Sequence, residues 1–174
     1  MTLSRTLWLV GLAMLIAAAP VVAQEDEPTA SEKASAFCKE FKRAYKKRTS
    51  AQLTDDIDTI IGFAQDPAVD EKNAKKALMG AMGQIAGSKD ASVRTYLLKK
   101  CATLTGNDDV AKLVLKIVQI ELKARIPEED VYEAGFEALG KLKSERPDVV
   151  KALIGFLKNK ENSVVAQACF AISH

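Results

Sequence analysis

Among the residues that enzymes use for proton transfer, histidine is nearly missing: His174 is the only one in 174 residues. Imidazole is the usual general base near neutral pH. A Ser–His–Asp or Cys–His catalytic set built on His174 would depend on a fraying terminus. We therefore expect no catalytic residues of this type and no cofactor.

Cysteine is also scarce, and Cys38, Cys101 and Cys169 lie far apart in the chain. Their wide separation excludes a C-x-x-C redox or metal motif, and three cysteines leave at least one thiol unpaired. The aspartates within 55–58 lack the spacing of a calcium loop, so no metal is expected. Cys101 falls in an apolar register position and is predicted to be a buried free thiol. The state of Cys38 and Cys169 stays open, with a disulfide not favoured.

Aromatic residues make up 6% of the chain, and the formal net charge is +2. So small a charge gives no global attraction for nucleic acid or anionic lipid. Hydrophobic residues reach 48% and charged residues 28%, which allows a core and a polar surface. The sequence is rich in Ala, Leu, Lys and Glu, which favour helix.

The N-terminus has the three parts of a secretory signal. One cation, Arg5, precedes an uncharged apolar run at 7–19, and Ala23 fits the −1 position of a cleavage site. A membrane-spanning helix needs about 20 apolar residues, so cleavage is favoured over an uncleaved membrane anchor. We predict a signal peptide at 1–23, a flexible acidic leader at 24–30, and a periplasmic or extracellular protein.

The pattern of residues 31–174 predicts one helical domain. Apolar residues recur with helical spacing, and no alternating segment bounded by turns calls for a strand. Thr29 with Glu32, and Thr49 with Gln52, have the spacing of capping boxes, and Gly87 is predicted to end a helix in the left-handed conformation. The expectation is an all-α fold with about eight helices of 12–18 residues.

The helices follow a repeat. The apolar pattern that begins at Val131 also begins at Val93 earlier in the chain and at Val164 later in it. The step from one of these valines to the next is one period of the repeat. One helical hairpin per period predicts an α-solenoid of stacked antiparallel helix pairs. The recognisable units are 70–106, 108–143 and 147–174, and other helical-hairpin repeats or a globular bundle remain alternatives.

The sequences "DASVR" (90–94) and "DVYEAGFEALGKL" (130–142) resemble the second helix of a HEAT repeat. The resemblance implies a ladder between neighbouring units from a turn aspartate and an arginine, which match Asp90 and Arg94. Tyr132 and Val165 occupy the arginine position in the next two units, so apolar contact is expected to dominate.

The resemblance to HEAT proteins implies a non-enzymatic scaffold or adaptor that binds another protein. A bilin-lyase-like enzyme is the alternative that the same resemblance offers. The identity of the partner and the face that binds it are not predicted.

A basic helix stands out near the start of the mature chain. It could contact anionic lipid or an acidic partner, but a solvated face capping the first unit is favoured. Nucleic acid is not favoured as a partner. The cations of this patch are Lys39, Lys42, Arg43, Lys46, Lys47 and Arg48.

The last helix is apolar nearly all round, with Gln167 the one polar residue between 164 and 172. A helix with one buried face should alternate with polar positions. Cover by another chain, a following repeat, or folding back of the helix would each explain this pattern, and we predict that the isolated protein self-associates through residues 162–174. The residues of this association end are Val165, Cys169, Phe170 and Ile172.

Overall fold

The computed structural model describes residues 27–174. The predicted signal peptide and the start of the predicted leader lie outside the described residues. Across this range the chain forms helices and no strand, which confirms the expected all-helical fold and the number of α-helices. The elements are α1 (Ala30–Ala44), a 3-10 helix (Tyr45–Lys47), α2 (Ser50–Gln65), α3 (Lys72–Ala86), α4 (Ala91–Cys101), α5 (Asp108–Glu121), α6 (Glu129–Leu142), α7 (Pro147–Phe156) and α8 (Asn162–Ser173). None of these helices combines the length and the apolar character that a membrane span requires.

Side-chain caps start four of the helices. Both predicted capping boxes form: Thr29 and Glu32 exchange two hydrogen bonds at the start of α1, and Thr49 and Gln52 do so at α2. Asp90 accepts from the backbone N–H of Ser92 at α4, and Asn107 accepts from that of Val110 at α5. These acceptors satisfy backbone donors that a helix start leaves free. The starts of α3, α6, α7 and α8 carry no side-chain cap.

Helices α4 and α7 are shorter than predicted, with 11 and 10 residues. After each of them the chain tightens into i→i−3 bonds, from Leu104 N–H to the carbonyl of Cys101 and from Lys158 N–H to that of Gly155. Such bonds end a helix early by narrowing its last turn. Gly87 ends α3 as predicted, but the left-handed conformation predicted for it is wrong, because its φ is −84°.

The helices pack in a regular order. Each odd-numbered helix contacts the next odd-numbered one, from α1 to α7, and each even-numbered helix contacts the next even-numbered one, from α2 to α8. Helices adjacent in the chain also touch, except α6 and α7. We refer to α1–α2, α3–α4, α5–α6 and α7–α8 as helix pairs. The buried residues of all four pairs belong to one continuous apolar core.

Polar contacts also link neighbouring pairs. Tyr96 Oη donates to the Asp58 carboxylate, and Lys100 Nζ lies 2.6 Å from the same carboxylate. Gln65 Nε2 donates to Thr103 Oγ1, and across another boundary Gln167 Nε2 donates to Glu133. Apart from the Lys100 contact, these hydrogen bonds join residues 34 or 38 positions apart, about one period of the apolar pattern.

Small residues in α6 let its neighbours approach closely. A Cβ added at Gly135 would overlap Cγ2 of Val118 in α5, and one at Gly140 would lie 3.2 Å from Cα of Ala171 in α8. The Phe136 ring, fully buried, meets the edge of the Phe156 ring with centroids 5.3 Å apart. Close backbone approach and filled gaps together give α6 contact on both sides.

Candidate functional site

A groove with a cavity volume of about 1020 Å³ lies between α3 and α5. Its floor is apolar, formed by Met79, Leu113 and Leu115. We call it the α3–α5 groove. Five lysines line its sides: Lys72, Lys75 and Lys76 from α3, and Lys112 and Lys116 from α5.

The lysines of the α3–α5 groove are exposed. Within residues 27–174, none of them lies within 4.0 Å of a carboxylate oxygen. Lys76 and Lys112 occupy the same register, each two residues after the first buried position of its helix, Ala74 and Val110. One lysine therefore lies at matching positions of α3 and α5 beside the apolar residues of the groove.

One end of the groove is acidic. Asp70, Asp109 and Asp148 also line it, and they lie at the starts of α3, α5 and α7, where helix dipoles favour negative charge. Arg146 bonds to both carboxylate oxygens of Asp148, which lowers the pKa of Asp148 and raises that of Arg146. The groove thus has an anionic rim at one end and cations along its length.

A second groove, of about 540 Å³, lies between α1 and α3. Lys39 and Lys42 of the predicted basic patch line it, and Lys76 lines both grooves. The two concave surfaces therefore meet at Lys76. Positive charge continues from α1 across α3 to α5.

The rest of the predicted basic patch divides in two. Arg43, Lys46 and Lys47 are exposed and lie outside both grooves. Arg48 turns inward, with Nε 3.2 Å from a carboxylate oxygen of Asp56. Burial raises the pKa of Asp56, while Arg48 lowers it and the nearby acidic residues raise it. Since Arg48 neutralises a buried carboxylate, it is not free to hold a ligand.

Asp90 and Arg94, the predicted ladder residues, each contact a neighbouring helix pair, in opposite directions. The Asp90 carboxylate accepts from Ser50 Oγ in the preceding pair, and hydrogen bonds from Ser50 and Ser92 lower its pKa to about 2. Arg94 donates to Glu121 in the following pair at 3.1 Å and to the carbonyl of Ser88. Glu121 is buried and also accepts from the backbone N–H of Glu128.

The predicted association end is largely exposed. Cys169, Phe170 and Ile172 lie on the surface of α8, while Val165 is half-buried. In the register of the repeat, Cys169 and Ile172 match Phe136 and Leu139 of α6, which are buried. The same positions are therefore covered in the third pair and uncovered in the fourth.

The two buried thiols are poorly suited to catalysis. Burial raises the pKa of Cys38 to about 11 and that of Cys101 to about 12, whereas a nucleophilic cysteine needs a lowered pKa. The His174 ring packs on Phe170 with centroids 4.2 Å apart. Within the described range no cluster of three metal-ligating side chains is assembled.

The sequence patterns did not single out the five lysines of the α3–α5 groove. A contiguous run of cations drew attention to 39–48, whereas Lys72, Lys75, Lys76, Lys112 and Lys116 are spread over two units. Aligning the units on their first buried residue would have shown the register shared by Lys76 and Lys112.

No protein-family model, curated protein or solved structure matches this chain.

Proposed function

We propose that the protein is an exported, non-enzymatic α-solenoid of HEAT-like helix pairs that serves as a binding scaffold for another protein. The order of packing supports the solenoid, since every helix contacts the corresponding helix of the next pair. Hydrogen bonds spaced by about one period support it as well. In a solenoid each unit contacts only its neighbours, which leaves an extended surface for partners.

The observation that carries the binding function is the lysine-lined α3–α5 groove. Charged side chains of a folded protein that have no partner of their own are available for a ligand, and an apolar floor adds burial on binding. The second groove extends this surface toward α1 through Lys76. A partner covering both would contact three successive odd-numbered helices.

The binding function is tested by affinity capture from the exported fraction with three forms of residues 24–174. They are the wild type, the groove variant K76E/K112E/K116E, and the matched control K123E/K158E/K160E, whose lysines are exposed and outside both grooves. A partner retained by the wild type and the control but lost from the groove variant supports the proposal. Identical captures by all three forms contradict binding through the groove, and capture of no partner by any form contradicts the binding function.

The solenoid is tested by deleting residues 147–174. Removal of an end unit should take away the helical circular-dichroism signal of the 10 residues of α7 and the 12 of α8, and leave the rest folded. Loss of all cooperative unfolding would indicate a closed bundle.

Self-association through the association end is a second candidate role. Exposed apolar residues on α7 and just after it, namely Val150, Ile154 and Leu157, lie at the register of buried Ala111, Leu115 and Val118 of α5. Both helices of the last pair thus leave apolar positions uncovered, and large exposed apolar patches mark interaction sites.

Light scattering across a concentration series tests self-association. We expect an oligomer that I154E/F170E converts to a monomer. I126E is the control, because Ile126 is 79% exposed and lies in a loop away from the last pair. A wild-type monomer at the highest concentration contradicts this role.

A further inference from the structure

We infer that the α3–α5 groove binds an acidic amphipathic helix of the partner protein, with the apolar stripe of that helix on the groove floor and its carboxylates on the lysines of both sides. This inference rests on the proposed binding function. It adds the chemical class and the secondary structure of the recognised segment.

Size allows a helical segment. A helix with its side chains is about 10–12 Å wide, and a groove of about 1020 Å³ gives such a segment room to lie against it. The floor residues Met79, Leu113 and Leu115 are partly or largely buried between α3 and α5. They give the groove apolar surface contributed by both helices, as helix-in-groove recognition requires.

Charge spacing points to the same ligand. Lys72 and Lys76 lie four residues apart on α3, and Lys112 and Lys116 lie four apart on α5, so each pair is spaced by one helical turn. Carboxylates at i and i+4 on a ligand helix have the same rise of about 6 Å. Acidic residues on both flanks of an apolar stripe can therefore meet both pairs of lysines at once.

The groove also discriminates against nucleic acid. Asp70, Asp109 and Asp148 line one end of it and would repel a phosphate backbone that ran through. The floor has no aromatic side chain for bases to stack on, although stacking contributes much of single-strand binding. A peptide avoids the repulsion by carrying a neutral or basic residue where it passes the aspartates.

The test uses three synthetic peptides of about 15 residues, long enough for helix formation. The first has a leucine stripe flanked by glutamates with one terminal lysine. The second has the same stripe with lysines in place of the glutamates, and the third keeps the glutamates but replaces the leucines with serine. Fluorescence anisotropy measures the binding of each to residues 24–174.

We expect the wild type to bind the acidic amphipathic peptide at least about tenfold more tightly than the other two, with an affinity that falls as salt rises. The groove variant K76E/K112E/K116E should lose that binding and gain the lysine-flanked peptide. K123E/K158E/K160E should behave as the wild type does. Because K123E/K158E/K160E carries the same change of charge, an exchange of preference in the groove variant alone cannot come from net charge, and the circular-dichroism spectrum of the groove variant checks that it is folded.

Equal binding of the acidic and the lysine-flanked peptides would overturn the inference. So would groove-dependent binding of anionic vesicles or single-stranded RNA with no binding of the acidic peptide, since the groove would then take a lipid surface or a phosphate backbone. A partner captured by the wild type and the groove variant alike, and not displaced by the acidic peptide, would leave a scaffold function intact while refuting this site.

Discussion

The first and last helix pairs of the described chain differ in how far their large apolar side chains are exposed. In α1–α2 the large apolar side chains are buried or half-buried, and the outer positions are polar. In α7–α8 and the turn after α7, five large apolar residues are at least 38% exposed. They are Val150, Ile154, Leu157, Phe170 and Ile172.

The first and last helix pairs also differ in how their helices are capped at the N-terminus. Both helices of the first pair begin with a complete capping box, whereas neither helix of the last pair has a side-chain cap. A cap contributes about 1 kcal/mol to a helix. The first pair therefore buries its apolar side chains and caps both of its helices, whereas the last pair leaves apolar side chains exposed and has no side-chain cap.

The largest expected difference between the ends comes from removing a phenylalanine at each. Phe41 is 1% exposed in the first pair, and Phe170 is 42% exposed in the last. Phe41→Ala should lower the free energy of unfolding by about 3–5 kcal/mol, because it leaves a cavity. Phe170→Ala should lower it by less than about 1 kcal/mol.

Urea unfolding of the monomer at low protein concentration measures both effects. Equal losses would show that the last pair is covered in the free chain, and the comparison between the ends would fail.

Adding a methyl group should change the stability in opposite directions in the interior and in the last helix pair. Gly135→Ala places a Cβ against Val118 and should cost about 1–3 kcal/mol. Gly155→Ala in α7 meets no atom within 4 Å and should stabilise the chain by about 0.4–1 kcal/mol.

Thermal unfolding of the two variants checks the sign of each change. Val118→Ala should recover part of the loss in Gly135→Ala, because it removes the methyl group that the new Cβ meets. A harmless Gly135→Ala would mean that α5 and α6 separate easily.

Removing a side-chain cap from α2 and adding one to α8 should bring the stabilities of the two ends closer together. Thr49→Ala removes the side-chain acceptor at α2 and should cost about 1 kcal/mol, while Glu161→Thr supplies one at α8 and should add about 0.5–1 kcal/mol. Hydrogen exchange of the α2 and α8 amides is the measurement. No change of protection in α8 with Glu161→Thr would show that its start is already held by packing.

The smallest expected effect is a change of stability with pH that is confined to acidic pH. Asp90, which ties α4 to Ser50 of the first pair, has its pKa lowered from 3.8 to about 2. Its contribution to stability is complete above about pH 4 and is lost as the pH falls through about 2. The wild type should therefore lose stability relative to Asp90→Asn over that window.

Urea midpoints between pH 2 and pH 6 measure this difference. Ser50→Ala is the control, because removing the Ser50 hydrogen bond should bring the pKa of Asp90 back toward 3.8. A difference between wild type and Asp90→Asn that does not vary with pH would contradict the assignment.

Local features of this fold were predictable from sequence. The capping boxes at Thr29 and Thr49 and the cap at Asn107 follow from residue type and spacing, and helix position follows from apolar periodicity. The helix ends were less predictable, because they depend on packing. At the end of α6, the residue in the left-handed conformation is Lys143, with φ of 50°, and not a glycine.

The candidate site was largely hidden from sequence. Whether a lysine faces a groove depends on how its helix is rotated against its neighbours, which local patterns do not specify. Arg48 shows the same point in reverse: it belongs to a cationic run in the sequence, but packing directs it to Asp56. Only the alignment of whole units would have brought Lys76 and Lys112 together.

The unequal accessibility of the three thiols has a practical consequence. Cys38 and Cys101 are buried with raised pKa values, whereas Cys169 is exposed on α8. A maleimide dye or spin label should therefore attach at a single position without any mutation. That position lies beside Phe170, so the probe's emission or mobility would tell directly whether this extremity of the molecule is bare or occupied.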